Sequence, residues 1–359
     1  MRIAVLGGGN GSYAAAVDLA DQGHALRLWR RDAAAFAPVL ESGRLWLKDV
    51  EGRREVQIEL ATTSLADALA DAALILAPVP AFAQRDLARA MAPHLRDGQV
   101  VFLPPGSFGS YVMAAELKAA SNRADVAFAE AGTLPYLTRK HGPAEVAITT
   151  RATRLPTGVF PARLAEHAFS VIREAYPAIL PVEDALSAAL MNAGPIIHPP
   201  LIVMNAGPIE HFDHWDIHNE GTTPSIRRVT TALDGERIAL RETLGYHAPH
   251  FPLADHYESD RWMYGNLAHD KLVGSGDWRE RLDLLHHRYM REDVALGLAF
   301  LVSVADWARV PAPVARGLLA IGSAIVGEDL TESPRTLRAL GLARLDPGGL
   351  ARLLQEGVP

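Results

Sequence analysis

The first half of the chain alternates short apolar runs with segments that favour helix. Arg2 to Leu6 is an apolar run, Tyr13 to Asp21 favours helix, and Ala25 to Arg30 is a second apolar run. This alternation is typical of parallel strands joined by crossover helices. The other strands that the pattern predicts are Asp71–Ala77, Gln99–Leu103, Ala124–Glu130, Ala144–Thr150 and Ile179–Val182, with a hairpin or strand excursion at residues 44–60.

After Pro181 the sequence becomes mainly helical. The predicted helices are Asp184–Met191, Pro200–Asn205, Pro224–Leu244, Arg279–Phe300, Val302–Arg309, Pro313–Val326 and a terminal helix from Pro347. A chain of this length exceeds what one hydrophobic core usually serves. We therefore predict two domains, residues 1–180 with an α/β doubly wound sheet and residues 181–359 with an all-α fold.

The composition excludes several classes of protein. The chain has 359 residues, a formal net charge of -7 and no cysteine, so disulfides and thiolate metal sites are excluded. Mild acidity without a basic stripe argues against nucleic-acid binding. No secretory segment precedes the first strand, and we expect no membrane-spanning run of about 18 apolar residues. A cytoplasmic location is the resulting expectation.

A glycine-rich turn lies between the first strand and the first helix. Gly7 suits a tight turn, and Gly9 allows the backbone to approach a pyrophosphate at the helix N-terminus. Asn10 and Gly11 complete the turn, and the third fingerprint position is Ser12 where glycine is usual. A strand, this turn, a helix and a parallel strand within about thirty residues predict a Rossmann-type dinucleotide site.

The end of the second strand indicates which dinucleotide is bound. Enzymes selective for NAD usually carry an acid there, to accept from the ribose 2′-hydroxyl. This chain has Arg30 and Arg31 instead, and guanidinium groups suit a 2′-phosphate. NADP(H) is therefore favoured over NAD(H). The alternative is that Arg30 stacks on adenine while Asp32 binds the ribose.

Loops at the carboxyl ends of later strands extend the predicted site. Pro78 and Val79 follow a buried strand and suit packing under the ribose and nicotinamide, although a plain strand-to-helix turn is an equal alternative. Glu130 is a weaker candidate for a polar residue of the site, and the preferred interpretation is an ordinary acidic residue at the end of a strand.

His198 lies beside two prolines in the apolar run from Leu190 to Val203. A buried imidazole needs a partner, and a partnered histidine is a common proton carrier near neutral pH. Asp293, at the mouth of another apolar run, is the predicted partner, and Arg288 is a candidate for binding a carboxylate. The alternatives are a core histidine bonded to a backbone carbonyl, and a surface helix with scattered charge.

Two other segments contain residues that could bind a metal or a carboxylate. His211, His214 and His218 share one face if their segment is helical, but interspersed acids favour a polar segment, so no metal site is expected. Thr223 followed by Pro224 reads as a helix start, and its free N–H groups are an alternative carboxylate site.

These motifs resemble the NAD/NADP octopine/nopaline dehydrogenase family, the opine dehydrogenases. The matching pieces run in family order over nearly the whole chain: Gly7-x-Gly9-Asn10-Gly11, Asn192 through His198-Pro199, Gly221-Thr222-Thr223-Pro224-Ser225, Arg288-Tyr289-x-x-Glu292-Asp293-Val294 and Arg335-Thr336-Leu337-x-x-Leu340-Gly341-Leu342. Ser12 is a minor departure. Arg30, in place of the acid of NAD-preferring members, puts NAD in doubt rather than the family.

The resemblance implies a helical second domain like the C-terminal domain of 6-phosphogluconate dehydrogenase. It implies that His198 exchanges a proton with substrate, that Asp293 pairs with it, and that Arg288 holds a keto-acid carboxylate. Asn192 and Thr223 are further substrate-binding candidates. The implied reaction is NAD(P)H-dependent condensation of an amino acid with a 2-keto acid such as pyruvate, which gives an N-(1-carboxyalkyl) amino acid.

The sequence alone is also compatible with two other functions. A simple 2-keto acid or ketone reductase, of the glycerol-3-phosphate dehydrogenase or ketopantoate reductase type, usually places a lysine at the chemistry. None is well placed here, since Lys271 is predicted in a polar loop. An NADPH-binding regulator needs only the first half of the chain. A homodimer through the long helices is also open.

Overall fold

The computed structural model of the protein describes residues 1–265, 268–279 and 281–359. The chain divides into two compact units, the first comprising Met1–Ala189 and Arg352–Pro359 and the second Leu190–Ala351. The predicted boundary after residue 180 falls inside the strand Ile179–Pro181, which pairs with the sheet of the first unit. The division in the structure therefore comes later in the chain, after that strand and after the short helix Ala185–Ala189.

The strands lie in the first unit. They are β1 (Arg2–Leu6), β2 (Ala25–Trp29), β3 (Arg44–Asp49), β4 (Gly52–Gln57), β5 (Leu60–Thr62), β6 (Leu74–Leu76), β7 (Val100–Leu103), β8 (Ala127–Ala131), β9 (Tyr136–Lys140), β10 (Glu145–Arg151), β11 (Leu155–Phe160) and β12 (Ile179–Pro181). The larger sheet has the order β12-β11-β8-β7-β6-β1-β2-β5. Its pairs are parallel except β11 with β8.

The helices are α1 (Asn10–Asp21), α2 (Ala37–Ser42), α3 (Leu65–Leu69), α4 (Gln84–Met91), α5 (Gly109–Ala119), α6 (Ala165–Ala175), α7 (Ala185–Ala189), α8 (Gly194–Met204), α9 (Ala206–His211), α10 (Pro224–Thr243), α11 (Ala254–Glu258), α12 (Ala268–Ser275), α13 (Ala299–Ala308), α14 (Pro313–Val326) and α15 (Pro347–Glu356). A π-helix, Tyr289–Leu298, lies between α12 and α13. Short 3₁₀ turns occur at Ala34–Phe36, Ala81–Ala83, Ala162–Leu164 and Leu330–Glu332.

The larger sheet is covered on both faces, which explains why its central strands are apolar throughout. In β1, Ile3 and Val5 pack into one hydrophobic cluster with α1 and α6, whereas Ala4 and Leu6 pack into a second cluster with α4 and α5. Parallel strands buried on both faces have no reason to alternate polar and apolar residues. The predicted α/β doubly wound sheet is confirmed.

A smaller sheet, in the order β4-β3-β10-β9, packs beside α1. The hairpin predicted at residues 44–60 is β3 with β4, while the strand predicted at Ala144–Thr150 belongs to this smaller sheet. Arg151 joins it to α1, because its Nη2 lies 2.7 Å from both Asp18 Oδ1 and Asp49 Oδ2. Burial opposes the charge on Asp49, but hydrogen bonds from Arg54 and Arg151 outweigh it and lower its pKa to about 2.

The second unit is helical in its described residues, as predicted, but two of the predicted helices need correction. The helix expected from Pro200 begins at Gly194, so that His198 lies inside α8. The long helix expected over Arg279–Phe300 includes residue 280, which lies outside the described residues. From Arg281 to His287 the chain is irregular or forms turns, and the π-helix and α13 follow. The predictions for α10 and α14 agree with the structure, where Pro224 and Pro313 each occupy the first helical turn.

Among the described residues, Ala185–Met204 is the stretch that is long and apolar enough to cross a membrane. Its length and its mean hydropathy of 1.3 would suffice for a crossing, yet 83% of that stretch is buried within the protein. Burial of this extent is what a core segment of a globular protein shows, so the stretch is weak evidence for a membrane span.

Candidate active site

The glycine turn between β1 and α1 is closed by Ser12. Gly7 has φ +121°, and a Cβ there would lie 2.6 Å from Ser12 Oγ, so only glycine fits. The Ser12 hydroxyl donates to the Leu6 carbonyl at 3.2 Å. The serine that departs from the fingerprint therefore stabilises the turn itself.

Gly9 gives the turn its open side. It is the N-cap of α1, it is exposed, and no atom lies within 4 Å of where its Cβ would be. The N-terminus of a helix with open space before it attracts anions, because N–H groups and the helix dipole point there. This arrangement fits the pyrophosphate of a dinucleotide.

Pro78 and Val79 lie against the same turn. A Cβ at Gly11 would be 3.3 Å from Pro78 Cβ and 2.8 Å from Leu134 Cδ1, and one at Gly7 would be 3.4 Å from Val79 Cγ1. The structure thus brings the loop after β6 against the glycine turn.

Asn10 makes a contact that the sequence did not reveal. Its Oδ1 accepts a hydrogen bond from the backbone N–H of Lys140 at 2.9 Å. The oxygen of this side chain therefore holds the end of β9 against the turn.

Arg30 folds back over the glycine turn, whereas Arg31 is exposed. The Nε of Arg30 lies 2.6 Å from the position of a Cβ on Gly8, and its Nη1 donates to the Ala35 carbonyl at 2.9 Å. Asp32, the alternative ribose ligand, accepts from the Ala35 N–H at 3.1 Å. A cation thus lies beside the turn at the end of β2.

Lys140 is a second cation at the turn, and the sequence analysis missed it. Its Nζ lies 3.5 Å from the Gly8 carbonyl oxygen and 3.7 Å from the centre of the Tyr13 ring. Burial, reinforced by the charge of Arg30, lowers the pKa of Lys140 to about 8. We call Arg30, Lys140 and Tyr13 the glycine-turn cluster. No local motif marks Lys140, because β9 reaches the turn only through the fold.

Glu130 is buried and binds a loop of the first unit. Its carboxylate accepts hydrogen bonds from Phe108 N at 2.8 Å and Ser110 N at 3.3 Å, and a close one from the Ser110 hydroxyl. Two residues of that loop, Ser107 and Phe108, have positive φ. The carboxylate therefore holds an unusual loop conformation, which is a structural role.

In the second unit, His198 and Asp293 are in direct contact. His198 Nδ1 lies 2.7 Å from Asp293 Oδ2, and the two side chains are 18% and 6% exposed. Burial, opposed by the charges of Arg288 and His287, raises the pKa of Asp293 to about 7. A carboxylate at Nδ1 orients the imidazole and leaves Nε2 for another group.

Close packing between α8 and the π-helix creates this contact. A Cβ at Gly194 would lie 2.3 Å from Asp293 Oδ1, and one at Gly297 would lie 2.3 Å from Pro195 Cγ. Both glycines are therefore required for the approach. Asn192 accepts a hydrogen bond from the Gly194 N–H at 3.0 Å and so fixes the start of α8 beside the pair.

The π-helix also changes how Arg288 relates to Asp293. In an α-helix, residues five apart point to different sides, but the i→i+5 bonds of a π-helix bring them close to one face. Arg288 precedes the first π-helical residue, and its Nη2 lies 2.9 Å from Glu292 Oε2. Its side chain is 52% exposed whereas Glu292 is buried. Glu292 is a site residue that the i,i+4 spacing to Arg288 could have indicated.

Tyr289 and His218 complete the cluster, and neither was singled out for this role. The Tyr289 ring stacks on the His198 imidazole at 3.6 Å and 15°, and its hydroxyl lies 3.2 Å from His218 Nε2. His218 is buried, whereas His211 ends α9 and His214 is exposed. The three histidines therefore do not share a helical face. We call this set the His198 cluster: His198, His218, Arg288, Tyr289, Glu292 and Asp293.

Thr223 is the N-cap residue of α10. Its Oγ1 accepts from the Ile226 N–H at 3.5 Å and caps the helix. Lys271 lies on α12 rather than in a loop, and it is exposed. Across residues 1–265, 268–279 and 281–359, no group of three or more His, Asp or Glu residues is arranged to hold a metal ion.

Comparisons with known proteins match both halves of the chain. Residues 181–326 match the family described as NAD/NADP octopine/nopaline dehydrogenase, alpha-helical domain. Residues 2–104 match the NAD-dependent glycerol-3-phosphate dehydrogenase N-terminus. The opine dehydrogenase of Arthrobacter sp. (strain 1C) is 27% identical over 349 residues, which are 97% of each chain.

Solved structures agree on the fold. An octopine dehydrogenase in complex with NADH and agmatine has a TM-score of 0.71 at 18% identity, covering 96% of this chain and 99% of that one. A yersinopine dehydrogenase with NADP+ bound has a TM-score of 0.66 at 18% identity, covering 99% and 97%. The two-part architecture of this chain, with its dinucleotide-binding sheet and its helical domain, is thus that of known dehydrogenases.

Proposed function

We propose that this chain, which is 27% identical to an opine dehydrogenase over 97% of its length, is an oxidoreductase of the opine dehydrogenase type. In this proposal it joins an amino acid to a 2-keto acid such as pyruvate by NAD(P)H-dependent reductive condensation. The amine attacks the keto carbon, water leaves as the C=N bond forms, and reduction of that bond yields an N-(1-carboxyalkyl) amino acid. The enzyme thus acts on a CH–NH bond. The observation that carries the proposal is the buried pair of His198 with Asp293, beside the half-exposed Arg288.

His198 acts as the general base in this proposal. An amino acid enters as its ammonium form, and only the free amine attacks a carbonyl. With Nδ1 bonded to Asp293, Nε2 accepts the proton, and the carboxylate stabilises the imidazolium that results. The same proton then helps hydroxide leave as water when the imine forms.

Arg288 holds the keto-acid carboxylate. A guanidinium has five N–H donors in a fixed plane, so the ion pair with Glu292 orients it while other donors remain for a bidentate substrate contact. Asn192, which fixes the start of α8 beside Asp293, is a further substrate-binding residue. The first-turn N–H groups of α10, after Thr223, are a second carboxylate site.

The cofactor is bound by the first unit. Gly7, Gly9 and Gly11 receive the pyrophosphate, with Asn10 fixing the adjacent strand, and Pro78 with Val79 packs under the ribose and nicotinamide. The bound NAD(P)H supplies the hydride. We propose a preference for NADP(H), because Arg30 and Arg31 offer cations where NAD-selective enzymes carry an acid.

A simple 2-keto acid reductase is the competing function. The family match to the glycerol-3-phosphate dehydrogenase N-terminus supports cofactor binding in either case, because it covers the first unit alone. The helical unit favours condensation, since it contains the pair of His198 with Asp293 as a proton carrier. Its Lys271, the kind of residue that a simple reductase would use, is exposed.

Product analysis decides between the two functions. The protein is incubated with NADPH, pyruvate and a mixture of the common L-amino acids, and products are identified by mass spectrometry. We expect a secondary amine with the mass of amino acid plus pyruvate, less water, plus two hydrogens. Lactate without such a product would contradict the proposal.

We also propose a soluble cytoplasmic homodimer that binds neither nucleic acid nor membrane. The net charge of -7 and the burial of Ala185–Met204 support the absence of those two partners. Light scattering after size exclusion is expected to give twice the chain mass of 38.7 kDa, and the chain mass itself would contradict the dimer.

A further inference from the structure

The glycine-turn cluster holds two cations side by side without a carboxylate. Arg30 donates to the Ala35 carbonyl and, at 3.4 Å, to the Tyr13 hydroxyl, while Lys140 contacts the Gly8 carbonyl and the Tyr13 ring. In the part of the chain that the structure describes, neither has an acidic side chain within ion-pair distance. Two like charges held together in this way are costly unless an anion binds between them.

Lys140 is the last residue of strand β9, and the contacts of that strand hold it beside the glycine turn. Its backbone N–H donates to Asn10, which belongs to the glycine turn itself. The sheet that carries Lys140 is joined to α1 through Arg151, whose guanidinium contacts both Asp18 of α1 and Asp49 of β3. The Tyr136 hydroxyl, at the other end of β9, adds a bond to Asp18 at 3.0 Å. The strand is therefore fixed to the turn at its Lys140 end and to α1 at its Tyr136 end.

The position of Arg30 indicates which anion the cluster receives. The end of β2 is where a dinucleotide site of this type reads the adenosine ribose. Lys140 shares Gly8 and Tyr13 with Arg30 and so lies on the same side of the turn. We propose that Lys140 acts with Arg30 as a second cation that binds the 2′-phosphate of NADP(H). This inference rests on the proposed function only as far as dinucleotide binding, and it is independent of the reaction that follows.

Direct binding measurements test the role of Lys140. Dissociation constants for NADPH, NADH and adenosine 2′,5′-bisphosphate are measured by isothermal titration calorimetry for the wild type, Lys140→Met and Lys140→Arg. Lys140→Met is expected to weaken NADPH and the bisphosphate by about 10- to 100-fold and to leave NADH within about twofold, as loss of one charged contact predicts. Lys140→Arg, which keeps the charge, is expected to retain most of the NADPH affinity.

Lys48 offers a matched control, because it is an exposed lysine on β3 of the same sheet. Lys48→Met removes the same charge and is expected to leave all three constants unchanged. Equal weakening of NADPH and NADH by Lys140→Met would place the lysine at the shared pyrophosphate and overturn the proposal, as would no effect on either. Unchanged NADH binding also shows that the variant is folded. A protein that binds the cofactors as expected but forms no secondary amine would refute the proposed function alone.

Discussion

The glycine-turn cluster and the His198 cluster treat charge in opposite ways. In the first, Arg30 and Lys140 stand together without an acid among the described residues. In the second, Arg288 contacts Glu292 and His198 contacts Asp293, so the guanidinium and the His198 imidazole each have an acidic partner. A site with unbalanced positive charge is suited to receive an anion, whereas a balanced site is suited to move a proton between fixed groups. Under the proposed function, the residues that bind the cofactor and the residues that transfer the proton therefore belong to different units of the chain.

Removing the His198 side chain is expected to have the largest effect, because it should lower turnover strongly without changing cofactor binding. His198→Ala is expected to lower kcat for condensation by about 10²- to 10⁴-fold, because the general base is lost. NADPH affinity should stay unchanged, since the residues proposed to bind it lie in the other unit. His214→Ala, which removes an exposed histidine, serves as the control. Turnover of His198→Ala within a few-fold of the wild type would remove the histidine from the mechanism.

Asp293→Asn is expected to lower kcat/KM for the amine by about 10²-fold or more, with an effect that depends on pH. Burial raises the pKa of Asp293 to about 7, so below that pH the carboxyl is neutral and cannot stabilise the imidazolium. The ratio of wild-type to variant kcat/KM should therefore rise as pH increases through 7 and then level. A ratio that stays flat between pH 5 and pH 9 would contradict this role.

Stability provides a check on the same carboxyl without any substrate. A pKa raised in the folded state contributes stability that is present below about pH 4 and is lost as pH rises through about 7. The Tm of the wild type, minus that of Asp293→Asn, should thus fall between pH 4 and pH 8. A difference that grows with pH would mean that the folded state favours the charged form.

Arg288→Lys tests whether the balanced cluster also binds an anion. A lysine keeps the charge but loses the planar pair of donors, so KM for the keto acid should rise about tenfold. KM for the amine should change little. Equal effects on both constants would show that Arg288 shapes the site and does not bind the keto acid.

The smallest effect is expected at Thr223. Thr223→Ala removes the cap of α10 and should lower the free energy of unfolding by about 1 kcal/mol, measured by urea titration. Thr223→Ser keeps the hydroxyl and should match the wild type. KM values should be unchanged in both, because the backbone N–H groups remain; a higher keto-acid KM in Thr223→Ala alone would assign the hydroxyl to substrate.

What the sequence predicts depends on how far apart the interacting residues lie. The glycine turn and its strands are local, and one short segment contains both the fingerprint and Arg30. Lys140 reaches that turn only through the smaller sheet, and nothing near it in sequence marks the contact. His218 could not be predicted for the same reason, because its partner Tyr289 lies 71 residues later in the sequence.

The type of helix is a second feature that the sequence does not predict. The apolar run after Asp293 predicts a helix but does not distinguish i→i+4 from i→i+5 bonding, so the sequence alone does not place Arg288 and Asp293 near one face. The domain boundary was placed inside β12 for a related reason. A short strand at the edge of a sheet looks like a linker until its pairing with β11 is known.

The most direct test of the account is whether NADPH oxidation requires an amine. Absorbance is followed with pyruvate alone and with pyruvate plus each L-amino acid, and the series is repeated with NADH. The account predicts oxidation only when an accepted amino acid is present, and faster oxidation of NADPH than of NADH. Equal oxidation with pyruvate alone would contradict reductive condensation and establish a simple keto-acid reductase.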